Sequence, residues 1–209
     1  MEALIFGIIV LILSVIIHEV AHGYAAYALG DPTAKLAGRL TLNPVPHIDL
    51  VGSIILPGLM VLSNSGVLFG WAKPVPYNPY NLKNQRWGEA IVGAAGVATN
   101  LLIAVVFGLI TRYAYPHRYD VFAGLAAIVT LTNLSLGLFN LIPIPPLDGY
   151  TILRGLLPYR LSLSFRALEE RMQAAGFLTL IILLFAFSYF FSGPFSEFIA
   201  YIFRLLVGV

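Results

Sequence analysis

His18, Glu19 and His22 arrive together in "IIHEVAHGY", residues 16–24, at the end of a greasy stretch. The two histidines are four residues apart, so on a helix both imidazoles project from one face. H-E-x-x-H is the helical pattern for a zinc ion, with the adjacent glutamate placed as a general base. The chemistry asks for these residue types. Neutral imidazoles bind Zn2+, and the metal brings the pKa of a bound water down to about 7. A carboxylate beside that water can take its proton and pass it to a leaving amine. The bland alternative is a set of buried polar groups satisfied by neighbouring helices. Residues 3–17 are almost wholly apolar, which marks a membrane span. Ionisable groups inside a span are costly and usually functional, which favours the chemical reading.

A catalytic zinc takes three protein ligands and keeps one position open. The chain has no cysteine, so thiolate ligands and disulfides are both excluded. His117 and Asp120 lie in a short loop that the charge bias places outside. Asp31 lies in Gly-Asp-Pro, which reads as a turn. Asp148 lies in "FNLIPIPPLDGY", residues 139–150. Pro143, Pro145 and Pro146 forbid a regular helix there, so the chain must extend and Asp148-Gly149 must turn. Irregular backbone at membrane depth is tolerated only where protein buries it or it lines a wet cavity. A carboxylate carried into such a cavity suits a metal, and Asp148 is the expected third ligand. A plain interfacial turn is the competing reading.

These residues need a membrane scaffold. Of 209 residues, 59% are hydrophobic and 11% charged, against about 25% charged in soluble domains. The chain reads as an all-α polytopic membrane protein, with residues 1–209 forming one membrane-embedded domain. A formal charge of +2 gives no reason to expect a nucleic-acid partner. Glu2 and the lack of a basic leader or cleavage site make the N-terminus read as a span rather than a signal peptide. A span needs about 20 apolar residues. Segments 3–29, 90–111, 121–142 and 174–192 qualify. Segment 50–71 is apolar but broken by Pro57 and by Ser-Asn-Ser-Gly at 63–66, so it is expected to re-enter or to be a short span. Segment 195–209, with Glu197 and Arg204, is expected to be interfacial or a short span.

Loop charges orient the scaffold. Lys35, Arg39, Lys73, Lys83 and Arg86 lie between the first two clear spans. Arg154, Arg160, Arg166 and Arg171 lie between the last two, whereas the middle loop has only Arg112 and Arg118. The positive-inside rule places the first and third groups in the cytoplasm. This gives a multi-pass plasma-membrane protein, N-terminus outside, with its active site toward the cytoplasmic side. It requires that 50–71 make no net crossing. Geometry asks for the same thing, because His18, His22 and Asp148 can meet only if spans 3–29 and 121–142 run parallel. "GWAKPVPYNP" (70–79) reads as an extended hairpin whose prolines confine pairing to an edge, where a substrate strand could add.

The combination resembles the site-2 protease family of intramembrane zinc metalloproteases, over roughly residues 10–160. The resemblance rests on "HEVAH", "NLIPIPPLDG" and "GAAGVATN" (93–100), the last similar to the family's Gly-x-x-x-Asn segment. "RLTLNPVPHIDLVGSIILP" (39–57) and "FGWAKPVPYNP" (69–79) are similar to the compact branch without an inserted PDZ domain. Val97, where the family often has Pro, and Tyr150, where a small residue is common, are departures that touch no metal ligand. The resemblance implies a site-2 protease-like core with one catalytic zinc held by His18, His22 and Asp148, and Glu19 as base. It implies that single-span membrane proteins or peptides, in contact with the bilayer, are cleaved within or near it. It also implies that Asn100 and Asn140 face the substrate or the oxyanion; an interhelical hydrogen bond is the competing role for each. His47 could be an auxiliary polar group near the metal, but an ordinary loop histidine is the favoured reading. Two rivals use the same ligands without hydrolysis: a zinc-binding membrane transporter, and an inactive relative that binds helices. The chain shows no internal repeat of the kind transporters carry, and neither rival needs Glu19.

Overall fold

The computed structural model describes residues 2–55, 58, 59, 62, 71–84, 87–117, 119–174 and 176–208. The described elements are helical: α1 (Glu2–Ala28), α2 (Thr33–Leu36), α3 (Gly88–Ala114), α4 (Asp120–Asn140), α5 (Asp148–Leu156), α6 (Tyr159–Ala174) and α7 (Phe177–Val207). Among the described residues, four helical stretches are long and apolar enough to cross a membrane: α1, α3, α4 and Tyr189–Val207 of α7. The protein is a multi-pass membrane protein.

The helix directions follow from which residues meet. His22 of α1 bonds to Val92 O of α3, and His18 bonds to Asn100, so α1 and α3 are antiparallel. A Cβ on Gly137 of α4 would meet Asn100 and Leu101 of α3, whereas one on Gly108 would meet Thr130, so α3 and α4 are antiparallel too. Ser14 bonds to Asn133 at the middle of both chains, and α1 and α4 therefore run parallel. The C-terminal ends of α1 and α4 lie at one end of the bundle, with the start of α3. Residues 29–87 thus leave and return at the same end. Small residues allow this close packing. A Cβ on Gly155 of α5 would lie 2.7 Å from the Cβ of Ala90.

α1 is an apolar run interrupted chiefly by the His18–His22 cluster, and it stops where the chain needs a left-handed backbone, at Gly30 (φ +106°), followed by Asp31-Pro32. Between α2 and α3 the described residues are mostly irregular, with short turns of 3-10 helix at Val45–His47 and Pro79–Asn81 and a π-helical turn at Leu50–Ile55. Pro57 and 63–66, on which the re-entrant expectation leaned, lie outside the described residues, as do 69 and 70. The hairpin expected over 70–79 lies partly outside the described residues; among the described residues, 71–78 form neither helix nor paired strand and run as a strap. Its backbone is hydrogen-bonded to other elements: Trp71 N–H to Gly52 O, and Lys73 N–H to His47 O. Lys73 O accepts from Arg39 Nη2 at 2.7 Å.

Two further expectations change. Segments 174–192 and 195–209 are not separate elements. α7 runs through Gly193-Pro194 as one helix. A proline removes one helical hydrogen bond, and neighbouring groups in a membrane bundle can re-satisfy the freed carbonyl. Asp148-Gly149 is not a free turn but the first turn of α5. The prolines act just before it, across residues 141–147, which bend without helix. A Cβ on Gly149 would lie 2.1 Å from Leu141 O, so only glycine permits this close approach.

α5 is also held from its far end. Arg154, 7% exposed, pairs with Glu89 at the start of α3 and with Glu169 of α6 at 2.6 Å. Arg166 of α6 pairs with the other oxygen of Glu89. Burial, followed by the negative charge of Glu89, pushes the nearby Tyr77 hydroxyl up to about 12, so it stays protonated.

Candidate metal centre

Three side chains converge where α1, α3 and α5 meet. His18 Nε2 and His22 Nε2 are 3.0 Å apart. Asp148 Oδ2 lies 3.0 Å from the first and 3.3 Å from the second. Both histidines are buried. Helical periodicity brings the two imidazoles together, and the Pro-rich bend brings Asp148 to them from α5.

The opposite ring nitrogens decide what these atoms can do. His22 Nδ1 is 2.7 Å from Val92 O, which can only accept, so this Nδ1 carries the proton. His18 Nδ1 meets Asn100 Oδ1, again an acceptor. A neutral imidazole with Nδ1–H presents a lone pair at Nε2. The short Nε2–Nε2 separation is therefore not a hydrogen bond between neutral rings. Asp148 Oδ2 is buried and has no hydrogen-bond partner among the described residues. Three lone-pair atoms facing one another need a cation between them. Ligand atoms about 2.0–2.2 Å from a tetrahedral zinc are about 3.3–3.6 Å apart. The three separations, 3.0 to 3.3 Å, are within a few tenths of that. Two nitrogens and one carboxylate oxygen are also a zinc donor set that leaves a fourth position open.

Gly96 makes room. A Cβ there would lie 2.5 Å from His22 Nε2 and 2.7 Å from His18 Cε1. The backbone of α3 is thus pressed against the metal-facing edges of both rings.

Glu19 is half-buried beside this group. Its Oε2 accepts from Val75 N–H of the strap at 2.8 Å. Further along, Asp31 ties the strap to the end of α1. It accepts from Asn78 N–H at 2.6 Å, Asn81 Nδ2 at 2.8 Å and Thr33 Oγ1 at 2.5 Å. Burial alone would raise the Asp31 carboxyl, but hydrogen bonds from Thr33, Asn81 and the Asn78 amide outweigh it and lower the pKa. Asp31 is therefore a structural anchor. Val75 carries no chemical signal in its side chain, and sequence reasoning had no means to find it.

The other expected residues fall as follows. Asn100 makes interhelical hydrogen bonds, to His18 of α1 and Asn133 of α4. It is fully buried behind His18, and its Nδ2 donates to Asn133 Oδ1. Asn140 is half-buried at the end of α4, its Nδ2 bonded back to Leu136 O at 3.0 Å. His47 is buried in the loop, with Nε2 on Thr41 O at 2.9 Å, and is not part of the metal group. Asp120 and His117 are exposed and are not part of it either.

This geometry agrees with comparison to known proteins. The Peptidase family M50 model matches residues 117–187. The Bacillus subtilis protein named "Putative zinc metalloprotease YwhC" is 39% identical over 183 residues, covering 84% of this chain and 78% of that one. The chain belongs to peptidase family M50. Two further relatives carry zinc metalloprotease names. Rip2 of Mycolicibacterium smegmatis, named in the same way, is 31% identical over 83% of this chain and 64% of its own. "Zinc metalloprotease MJ0392" of Methanocaldococcus jannaschii is 27% identical over 85% of this chain and 41% of its own. No solved structure gives a significant match. As an M50 member the protein is a metallopeptidase of the site-2 protease type with zinc as its cofactor, and the His18–His22–Asp148 group is a site that can hold that ion.

Proposed function

We propose that this chain is a single membrane-embedded domain that cleaves single-span membrane proteins or peptides within or near the bilayer. In this reading His18, His22 and Asp148 hold the zinc, and Glu19 is the base. The observation that carries it is the buried triangle of three lone-pair atoms, 3.0 to 3.3 Å apart, on helices apolar enough to span a membrane. The site lies at the end of the bundle where the arginine-rich segment 154–171 gathers, which the positive-inside rule makes cytoplasmic. Trp71 N–H bonds to Gly52 O, which supports a return of segment 50–71 to the side it leaves from.

Zinc bound here supplies a more acidic water and polarises the scissile carbonyl. The chain's own residues do the rest. Val92 O and Asn100 hold the two imidazoles with Nε2 inward. Glu19 takes the proton of the attacking water and gives it to the leaving amine. Val75 N–H holds one Glu19 oxygen, which orients the other. In this reading Asn140, half-buried at the start of the Pro-rich bend, meets the incoming chain. A helical substrate must unwind locally first, because its peptide groups are locked in helical hydrogen bonds.

The test uses purified protein in proteoliposomes with single-span peptides. Cleavage should stop with a chelator and return with zinc, and Asp148→Asn should weaken zinc retention, since an amide is a poorer ligand than a carboxylate. Zinc transport across the same liposomes, with no cleavage in any metal state, would overturn the assignment in favour of a transporter.

A further inference from the structure

His18 serves the metal only if its proton sits on Nδ1. We infer that Asn133, a residue that touches neither metal ligand nor substrate, is the positioning residue that sets this tautomer through a one-way hydrogen-bond chain. This rests on the reading of His18 as a zinc ligand.

The direction of the chain can be worked out from its far end. Asn133 sits in α4 with no exposed surface. Its Nδ2 lies 3.0 Å from Val129 O, one turn earlier in the same helix, and 2.9 Å from Ser14 Oγ of α1. A carbonyl oxygen can only accept, so the amide end that faces Val129 must be the NH2. Both N–H groups of Asn133 are then used, and its Oδ1 points the other way. Oδ1 accepts from Asn100 Nδ2 at 2.9 Å. Asn100 is fully buried too, and cannot turn over without setting its NH2 against His18 and its oxygen against Oδ1 of Asn133. Asn100 Oδ1 therefore faces His18 Nδ1, which must donate. Nε2 is left bare and aimed at Asp148 and His22.

Each link is buried, so a reversed link would leave unpaired polar groups with no water to satisfy them. An asparagine has no intrinsic polarity along such a chain, because its two ends are nearly the same shape. The Val129 carbonyl supplies the direction. Ser14 does not, since a hydroxyl can donate or accept. His22 needs no such device, because its Nδ1 meets a backbone carbonyl directly.

The experiment measures zinc affinity of the purified full chain by competition with a chromogenic chelator at one fixed pH. Cobalt absorption serves as a second readout of ligand geometry. Asn133→Leu frees Asn100 to turn and should weaken zinc by about 10–100-fold, the usual cost of losing an outer-shell partner. Asn133→Asp should retain zinc. Ionised, or with its proton toward Val129 O, it still presents an acceptor to Asn100. Ser14→Ala should stay near wild type. Should Asn133→Leu fail to fold, Asn133→Ser, whose hydroxyl is too short to reach Asn100, carries the same expectation. Loss of zinc by Asn133→Asp equal to that by Asn133→Leu would reduce Asn133 to a packing role and overturn the inference. So would a change under about threefold for Asn133→Leu, well short of the outer-shell range. His18→Ala separates the two layers of argument. If it keeps zinc, the ligand assignment fails. If it loses zinc while Asn133→Leu keeps it, only the orientation chain fails.

Discussion

The carboxylate of Glu19 and the backbone N–H of Val75, 56 positions apart in sequence, are hydrogen-bonded at 2.8 Å. The strap that crosses the metal centre therefore holds the group assigned as the base. A backbone donor leaves no side chain to exchange, so the role of Glu19 is tested at Glu19 itself.

Glu19→Gln keeps an oxygen for Val75 N–H to bond but cannot carry the water's proton. Zinc content by elemental analysis should be unchanged. Peptide cleavage should fall by about 10²–10⁴-fold, the usual worth of acid–base catalysis. Near-normal turnover would remove Glu19 from the mechanism.

Gly96→Ala places a methyl 2.5 Å from His22 Nε2 and 2.7 Å from His18 Cε1. The rings must move or α3 must back away. Overpacking of this kind typically costs about 1–3 kcal/mol, and zinc affinity should drop with stability. Gly124→Ala on α4 meets nothing within 4 Å, and the better helix former should be neutral or stabilising there, by up to about 1 kcal/mol. Equal effects of the two substitutions would contradict the placement of Gly96.

Asp31 gives the strap a defined acid sensitivity. Its carboxyl pKa is lower when folded than the unfolded value, which is about 3.9. The unfolded chain then binds the proton first as pH falls. The contribution of Asp31 to stability is complete above about pH 4. It is lost below that, as pH drops through the folded value. Thermal unfolding in detergent, followed from pH 6 to about pH 3, should show this loss. Asp31→Asn should be less stable at neutral pH, show a smaller decline, and keep its zinc. Loss of zinc at neutral pH would make Asp31 part of the metal site after all.

Side assignment is open to labelling, because the chain has no cysteine. Single cysteines replacing Lys35 and Lys73 should both escape impermeant thiol reagents in intact cells, whereas one replacing His117 should label. Labelling at 73 but not at 35 would mean that 50–71 crosses the membrane.

The parts of the site legible in the sequence are those governed by short-range geometry. His18 and His22 face one way because a helix repeats every 3.6 residues. Asp148 stood out because three prolines before it forbid a helix. Parallel α1 and α4 followed from asking both to reach one metal, and their partner α3 has the Gly-x-x-x-Asn spacing that packs against the rings. Contacts between distant backbone and side chain left no such trace. Nothing about Val75 as a residue type announces its amide. Asp31 read as a turn because Gly-Asp-Pro is a turn, and two of its donors, the Asn78 amide and Asn81 Nδ2, come from far along the chain. Asn100 was tied to substrate by the family resemblance alone. Its hydrogen bonds, to His18 and Asn133, reach helices distant in sequence, and no spacing announces them. Segments 174–192 and 195–209 read as two, yet α7 continues through Pro194 between them, because a bundle can accommodate a missing helical hydrogen bond.

Among the described residues, two arginines, Arg154 and Arg166, pair with two glutamates, Glu89 and Glu169, where α3, α5 and α6 meet. Arithmetic of that kind restricts how this corner can drift. Replacing Arg154 by a neutral residue strands carboxylate charge where little water reaches, and breaking one partner of a buried pair typically costs about 3–5 kcal/mol. Swapping an opposite-sign couple for apolar side chains of matching volume leaves no remainder and can be almost silent. Descendants of this sequence should therefore differ here by pairs of changes, and a lone substitution at any of the four positions should be rare.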